Sequence, residues 1–187
     1  MSLDDEKKTL LQIIRERALF HQPVRLSSGK ESSYYVDGKQ VTLSSEGSYL
    51  IARQIFEIVK KESVDAIGGP TIGADPIVGA VLFLSYLENF PLKGFIVRKE
   101  PKKHGMQRYI EGPALKEGSR VAIIDDVVTT GESVLRAARA AEEAGGKVVK
   151  VIAIVDRLEG ARERLESCGF KFTSLFTKHD LNLSQRL

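Results

Sequence analysis

Cysteine is almost missing from this chain. Of its 187 residues only Cys168 carries a thiol, so no internal disulfide can staple the fold. That residue precedes Gly169 in a short amphipathic segment and reads as a small buried hydrophobe. Long apolar runs are absent too: none could cross a bilayer or form a signal-peptide core, which points to a cytoplasmic protein with no membrane partner. Nor is there a large excess of charge of one sign. The 28 Lys and Arg stand against 25 Asp and Glu, for a formal net charge of +3, which does not suggest a nucleic-acid coating protein. No internal repeat or low-complexity tract is found. What remains, 42% hydrophobic and 28% charged residues, suits one globular domain spanning residues 1–187, large enough for a sizeable core.

The run Asp4 to Phe20 places Leu10, Leu11, Ile14 and Ala18 at helical spacing, with Asp4, Asp5 and Glu6 where the helix dipole favours negative charge. From Pro23 to Leu43 that period disappears. Short β-type runs broken by Ser28-Gly29 and Asp37-Gly38 predict a small ribbon or hood outside the main sheet, so that residues 1–43 form helix and hood and 44–187 the core. Ser44 or Ser45 can cap a second helix, Tyr49 to Lys61, whose Leu50, Ile51, Ile55, Phe56 and Val59 would face a sheet. The grammar then becomes that of βαβ units. Strands are expected at VDAIGG, GFIVRK, RVAIIDD, KVVKVIAIVD and FKFTSLF, and helices at Ala74 to Glu88, Glu132 to Ala144 and Glu159 to Cys168. Gly145-Gly146 supplies a helix stop. The connection Lys99 to Gly118 is too polar for core and too long for a tight turn, a composition that suits a lid.

Chemistry concentrates in VAIIDDVVTTGES, Val121 to Ser133. Four apolar residues make a buried strand, which puts Asp125 and Asp126 at its carboxyl end, where open parallel sheets bind ligands. Two adjacent carboxylates repel each other and need a reason. The following residues deliver two threonines, a glycine and a serine into the start of the next helix, where backbone N–H groups and hydroxyls cradle a phosphate. Acidic groups beside an anion cradle make sense if the ligand also carries hydroxyls or shares a divalent cation. A phosphorylated sugar meets both demands. Helix capping accounts for one Asp or Ser, but not for the whole ordered set.

The segment resembles the signature of the type I phosphoribosyltransferases, which bind 5-phosphoribosyl 1-diphosphate (PRPP). The resemblance implies a Rossmann-like α/β fold, a central parallel sheet flanked by helices with a small N-terminal hood. It also implies that Val127, Val128, Thr129, Thr130, Gly131, Glu132 and Ser133 form the phosphate loop, and that Asp125 and Asp126 meet the ribose directly or through metal-bound water. Mg²⁺ is the implied cofactor, held through PRPP rather than by direct protein ligands.

A second constellation, Arg98 to Gly112, gathers Arg98, Lys99, Lys102, Lys103, His104 and Arg108 at a strand end. Taken alone it could be a solvated loop face; beside a phosphate site it becomes a candidate anion clamp. Its pattern Arg-Lys-Glu-x-Lys-x-His-Gly is similar to the mobile loop of the orotate phosphoribosyltransferases. That likeness implies PRPP binding by Arg98, Lys99, Lys102 and His104, catalysis by Lys102 together with Asp126, and a homodimer whose sites are shared across the interface. RLSSGKESSYYVDGK, Arg25 to Lys39, resembles the same family's N-terminal pattern and implies orotate contacts from Tyr35 and Val36, with Thr129 joining them; an ordinary hairpin with aromatic core residues is the alternative. GGPTIGADPIVGA resembles the diphosphate loop, implying PRPP contacts from Thr71 and Gly73. Arg157, at the end of VIAIVD, matches an arginine that grips orotate, and Arg suits planar carboxylate recognition.

Two departures stand out: some orotate enzymes carry lysines where this chain has Ser27 and Gly73. The expected reaction is orotate plus PRPP giving orotidine 5′-phosphate and diphosphate, with PRPP and orotate as partners and no nucleic acid. A purine or uracil phosphoribosyltransferase is the alternative within the superfamily. A PRPP-sensing nucleic-acid-binding regulator is the alternative from another class.

Overall fold

The computed structural model describes residues 1–21, 24–25, 31–100 and 109–181. Helix α1 (Leu3–Ile13) opens on a capping box in which the Ser2 hydroxyl accepts from the Asp5 N–H and the Asp5 carboxylate accepts from the Ser2 N–H. A π-helical turn, Ile14–Ala18, follows, and the expected helix to Phe20 stops there. The next residues are claimed by a ribbon: β1 (Leu19–Phe20), β2 (Val24–Arg25), β3 (Glu31–Ser32) and β4 (Tyr35–Val36) pair antiparallel as β1 with β4 and β2 with β3. These two ribbons are the expected hood. It also holds a helical turn that the β-type reading missed, α2 (Lys39–Thr42). Asp37 starts it by accepting the Lys39 N–H at 3.3 Å, a local side-chain bond that competes with strand formation.

Helix α3 (Ser45–Lys61) begins four residues before Tyr49, because the Ser44 hydroxyl caps it by accepting from the Gly47 N–H at 3.2 Å. The remaining elements are β5 (Ala66–Pro70), α4 (Asp75–Leu87), β6 (Lys93–Val97), β7 (Ile110–Glu111), β8 (Ser119–Val128), α5 (Glu132–Glu143), β9 (Gly146–Asp156), α6 (Ala161–Ser167) and β10 (Phe172–Thr177). They build a six-stranded sheet of order β10-β9-β8-β5-β6-β7. Five strands run parallel. β7 is antiparallel to β6, so part of the long polar connection folds back as an edge strand, with Ile96 opposite Glu111 and Val97 opposite Ile110.

Alternation along the strands feeds two cores. Ala122 and Ile124 of β8 pack with α1, α3 and α4 on one face, while Val121 and Ile123 pack with α5 and α6 on the other. Leu50, Ile51, Ile55, Phe56 and Val59 of α3 are all buried, as their spacing predicts. Each fully buried large aliphatic or aromatic side chain contributes about 1.5–3 kcal/mol. Packing of amphipathic faces therefore holds these helices more than intrinsic propensity does. Cys168 corrects the reading above. It is exposed at the C-cap of α6, just before Gly169, at φ +86°, turns the chain toward β10.

The β8/β9 register carries one irregularity. Val121 pairs with Val148 but Ala122 pairs with Lys150, leaving Val149 as an extra residue before pairing resumes to Val128 and Asp156.

Strand order locates the site. The chain leaves β5 through α4 toward β6, and leaves its neighbour β8 through α5 toward β9, on the other side. Between the carboxyl ends of β5 and β8 the two connections diverge, and such switch points open a crevice where α/β sheets bind ligands.

Candidate active site

Asp125 and Asp126 stand at this switch point. β8 runs two residues past its expected end, so the pair belongs to the strand, with Val127 opposite Val155 and Val128 opposite Asp156. Both aspartates are buried, at 6% and 8% exposure. Their oxygens are partly committed: Asp125 Oδ1 accepts the Asp126 N–H at 3.0 Å, Asp126 Oδ1 accepts the Val127 N–H at 2.8 Å, and Ser133 Oγ donates to Asp125 Oδ2 at 3.3 Å. Burial, followed by the neighbouring charge of Asp126, holds the Asp125 carboxyl well above the usual carboxylate range. Burial also raises Asp126, against the opposing pull of the Val127 N–H and Lys39.

The loops on either side leave room for little else. A methyl group built on Gly73 would stand 2.5 Å from Oδ1 of both Asp125 and Asp126, and one on Gly38 would stand 2.6 Å from Asp126 Oδ2. The hood and the β5–α4 loop thus approach the acidic pair where neither has a side chain. The β5–α4 loop is pinned by the Thr71 N–H on the Val97 carbonyl at 3.0 Å and by Thr71 Oγ1 on Asp75 Oδ2 at 2.6 Å. Its Thr71–Ile72 peptide bond is cis.

After β8, Thr129 and Thr130 are half-buried, and Gly131 takes φ +78° as the N-cap of α5, a conformation that suits glycine. Glu132 and Ser133 form the first turn of the helix, so the loop and the α5 N-terminus share the crevice edge with the acidic pair.

Arg157 follows β9, and its N–H donates to the Val128 carbonyl at 2.9 Å. It is 3% exposed; its guanidinium lies 4.4 Å from the Tyr34 ring centroid, and its Nε stands 3.0 Å from Glu159 Oε1. Sequence reasoning chose Tyr35 and Val36 from the hood. In the structure their backbones pair with Phe20 and Leu19, Val36 is buried, and Tyr34 supplies the aromatic face beneath the arginine.

The basic cluster is only partly described. Arg98 directly follows β6; its N–H donates to the Tyr109 carbonyl at 2.8 Å and its guanidinium lies 3.4 Å from Glu111 Oε1. Lys99 is exposed. Lys102, His104 and Ser27 lie outside the described residues. Sequence reasoning passed over Asp37, Gly38 and Lys39, although they sit inside the quoted hood pattern. The structure places all three against or beside Asp126.

A doubly wound sheet with an acidic pair at its switch point, facing a glycine-turned helix start, defines a phosphoribosyltransferase-type domain. The family model described as phosphoribosyl transferase domain matches residues 46–180. An orotate phosphoribosyltransferase of Aquifex aeolicus is 50% identical over 179 residues, covering 94% of this chain and 97% of the relative. One from Nostoc is 44% identical over 175 residues, covering 94% and 84% respectively. The crystal structure of Mycobacterium tuberculosis orotate phosphoribosyltransferase in complex with PRPP superimposes with a TM-score of 0.79 at 35% identity, covering 95% of this chain and 99% of that one. This chain belongs to the orotate phosphoribosyltransferase family.

Proposed function

We propose that this chain transfers the 5-phosphoribosyl group of PRPP to orotate, giving orotidine 5′-phosphate and diphosphate in pyrimidine nucleotide synthesis. The observation that carries the reading is the buried acidic pair, which the β5–α4 loop meets at Gly73 and which lies beside the glycine-turned start of α5. The bond from the anomeric carbon to the diphosphate oxygen breaks and a bond to a ring nitrogen of orotate forms, through an oxocarbenium-like transition state. Orotate is itself the nucleophile, so the protein acts by positioning and electrostatics.

In this reading Val127 to Ser133 hold the 5-phosphate, and Thr71 and Gly73 present backbone to the diphosphate. Asp125 and Asp126 accept from the ribose hydroxyls. Tyr34 and Arg157 receive the planar base and its carboxylate, with Tyr35, Val36 and Thr129 lining the same side. Arg98, Lys99, Lys102 and His104 neutralise the leaving diphosphate, with Lys102 and Asp126 as the catalytic residues.

The donor set suits a divalent cation. Two buried carboxyl groups stand side by side with only the Lys39 amine, 3.9 Å from Asp126, as a cation near them among the described residues, and no group of three or more His, Cys, Asp and Glu gathers there to form a cage of protein ligands alone. A hard cation shared between one or two carboxylates and substrate phosphates fits that arrangement. Asp125 and Asp126 would hold Mg²⁺ through water, and it would supply charge neutralisation on the diphosphate.

A homodimer is part of the proposal. Ile72, Phe83, Tyr86 and Leu87 in and before α4, with Tyr49 of α3, expose large apolar side chains to solvent, as an interface between copies would require. The cytoplasm is the expected compartment, and no helix among the described residues is long and apolar enough to cross a membrane.

The test is an ultraviolet assay of orotate loss, with and without PRPP and Mg²⁺, beside a panel of uracil, adenine and hypoxanthine. Orotate consumption that depends on PRPP is expected. Turnover of another base with none of orotate would overturn the reading.

A further inference from the structure

The acidic pair faces bare backbone on two sides, at Gly73 and Gly38. Of the described cations, Arg98 is drawn to Glu111 and Arg157 to Glu159. Lys39 alone among the described residues has its amine within 4.0 Å of either carboxylate, with Nζ 3.9 Å from Asp126 Oδ2. That separation exceeds a hydrogen bond. The firm contact is with Asp37, whose Oδ1 lies 2.8 Å from the same Nζ. Asp37 is itself fastened: its N–H donates to the Ala18 carbonyl at 2.8 Å, and its Oδ2 accepts from Gln40 Nε2 at 3.1 Å. The ammonium is therefore posted beside the pair from a fixed turn, while the side chain remains 38% exposed.

We propose that Lys39 is a donor-binding residue: Asp37 holds its ammonium beside Asp126, and when PRPP enters, the amine contacts an anionic phosphate oxygen of the donor. The inference rests on the PRPP reading above and adds a residue to it. An ammonium has three N–H donors on a flexible stem, so it can keep Asp37 while turning toward a new acceptor. The hydrogen bond that Lys39 donates to Asp37 also raises the Lys39 pKa, so the group stays cationic wherever the enzyme works. A site that packs two carboxylates against a polyanionic ligand needs a cation near both, and the glycine at position 73 supplies none.

The experiment compares wild type, Lys39→Met, which keeps the stem, and Lys39→Arg, which keeps the charge. Steady-state kinetics give the KM for PRPP and for orotate, and calorimetry gives PRPP affinity in the presence of Mg²⁺. Lys39→Met should raise KM and Kd for PRPP by about ten- to a hundred-fold, the range of one charge-assisted hydrogen bond. The KM for orotate should stay within about two-fold, and Lys39→Arg should recover most of the loss. Unchanged PRPP affinity in Lys39→Met, or a rise confined to orotate KM, would overturn the inference while the enzyme reading stands. A wild-type protein that neither binds PRPP nor consumes orotate would instead remove the reading beneath it. Should Lys39→Met fail to fold by circular dichroism, Asp37→Asn supplies the second measurement. Loosening the post should raise PRPP KM without moving orotate KM, and wild-type kinetics there would sink the proposal.

Discussion

Replacing Gly73 by alanine tests whether the acidic pair is held against the β5–α4 loop. The added methyl would lie 2.5 Å from Oδ1 of Asp125 and of Asp126, and 3.1 Å from Asp126 Cγ. Carbon and oxygen ordinarily stay about 3.3 Å apart, so the overlap with each oxygen is roughly 0.8 Å. Those two oxygens accept the N–H groups of Asp126 and Val127, so they cannot retreat without loosening a hydrogen bond. Overpacking costs about 1–3 kcal/mol, and a weakened bond to a charged acceptor about 1.5–3 kcal/mol. The two costs overlap, and a net loss of about 2–4 kcal/mol is expected. For a chain of this size each kcal/mol moves Tm by about 2–4 °C, so Tm should fall by roughly 5–15 °C. Because a shift of about 1 Å at reacting groups can cost 10²-fold, kcat/KM should fall by about that factor. Differential scanning calorimetry and initial-rate assays on the same preparation read both. A variant with Tm within about 1 °C of wild type and kcat/KM within two-fold would refute the argument, since it would mean that the carboxylates are free to yield.

Further outcomes follow from other contacts. Asp125 has a raised pKa, so the folded protein keeps a proton that the unfolded chain releases near 3.8. Its contribution is intact below that pH and declines as pH rises through the elevated value. Asp125→Asn, which retains Oδ1 as an acceptor, should therefore gain Tm relative to wild type as pH rises from about 4 to 8 while losing transfer activity; a pH-independent Tm difference would contradict this. Arg120 ties the end of α3 to β8 through Nε on the Glu62 and Ser63 carbonyls, at 3.2 and 3.0 Å, and Nη2 on Glu62 at 2.7 Å. Arg120→Ala should cost about 1.5–3 kcal/mol by denaturant melting and leave both KM values unchanged. Tyr34→Leu removes the ring under Arg157 and should raise orotate KM by about 2–30-fold, the range of a cation–π contact. PRPP KM should hardly move, and equal rises in both would show a general collapse of the hood.

Much of the scaffold is legible because it is local. The apolar runs of β5, β6, β8, β9 and β10 and the helical spacing of α3 and α5 each declare their element within a few residues. Gly131 likewise marks a turn that its φ of +78° requires. Asp125 and Asp126 stand out because two carboxylates closing an apolar run are costly without a ligand. What was missed depends on distance along the chain. A lysine in a turn looks solvated until Gly38 brings the hood onto a strand some ninety residues later. Tyr34 looks equivalent to Tyr35 until β1 pairs with Tyr35 and Val36 and leaves Tyr34 for Arg157. β7 was hidden for a similar reason, since Ile110 and Glu111 are a strand only because β6 offers an open edge. Cys168 misleads by composition: its residue type suggests burial, whereas its place at the C-cap of α6 is solvent-exposed.

The surplus residue at Val149 makes strand length a functional quantity. Side chains alternate between faces with a period of two, and the bulge absorbs the extra residue, so every paired position downstream of it keeps its orientation. Deleting Val149 itself would leave Val148 and Lys150 in their present pairs, but deleting a residue of the regular ladder beyond it, such as Ile152, would force a choice. Either the strand slides by one place against β8, or Arg157 arrives at the crevice facing the opposite way. An insertion or deletion far from the chemistry would thus act as a change of base recognition, and the tolerance of this strand to substitution should greatly exceed its tolerance to a change in length.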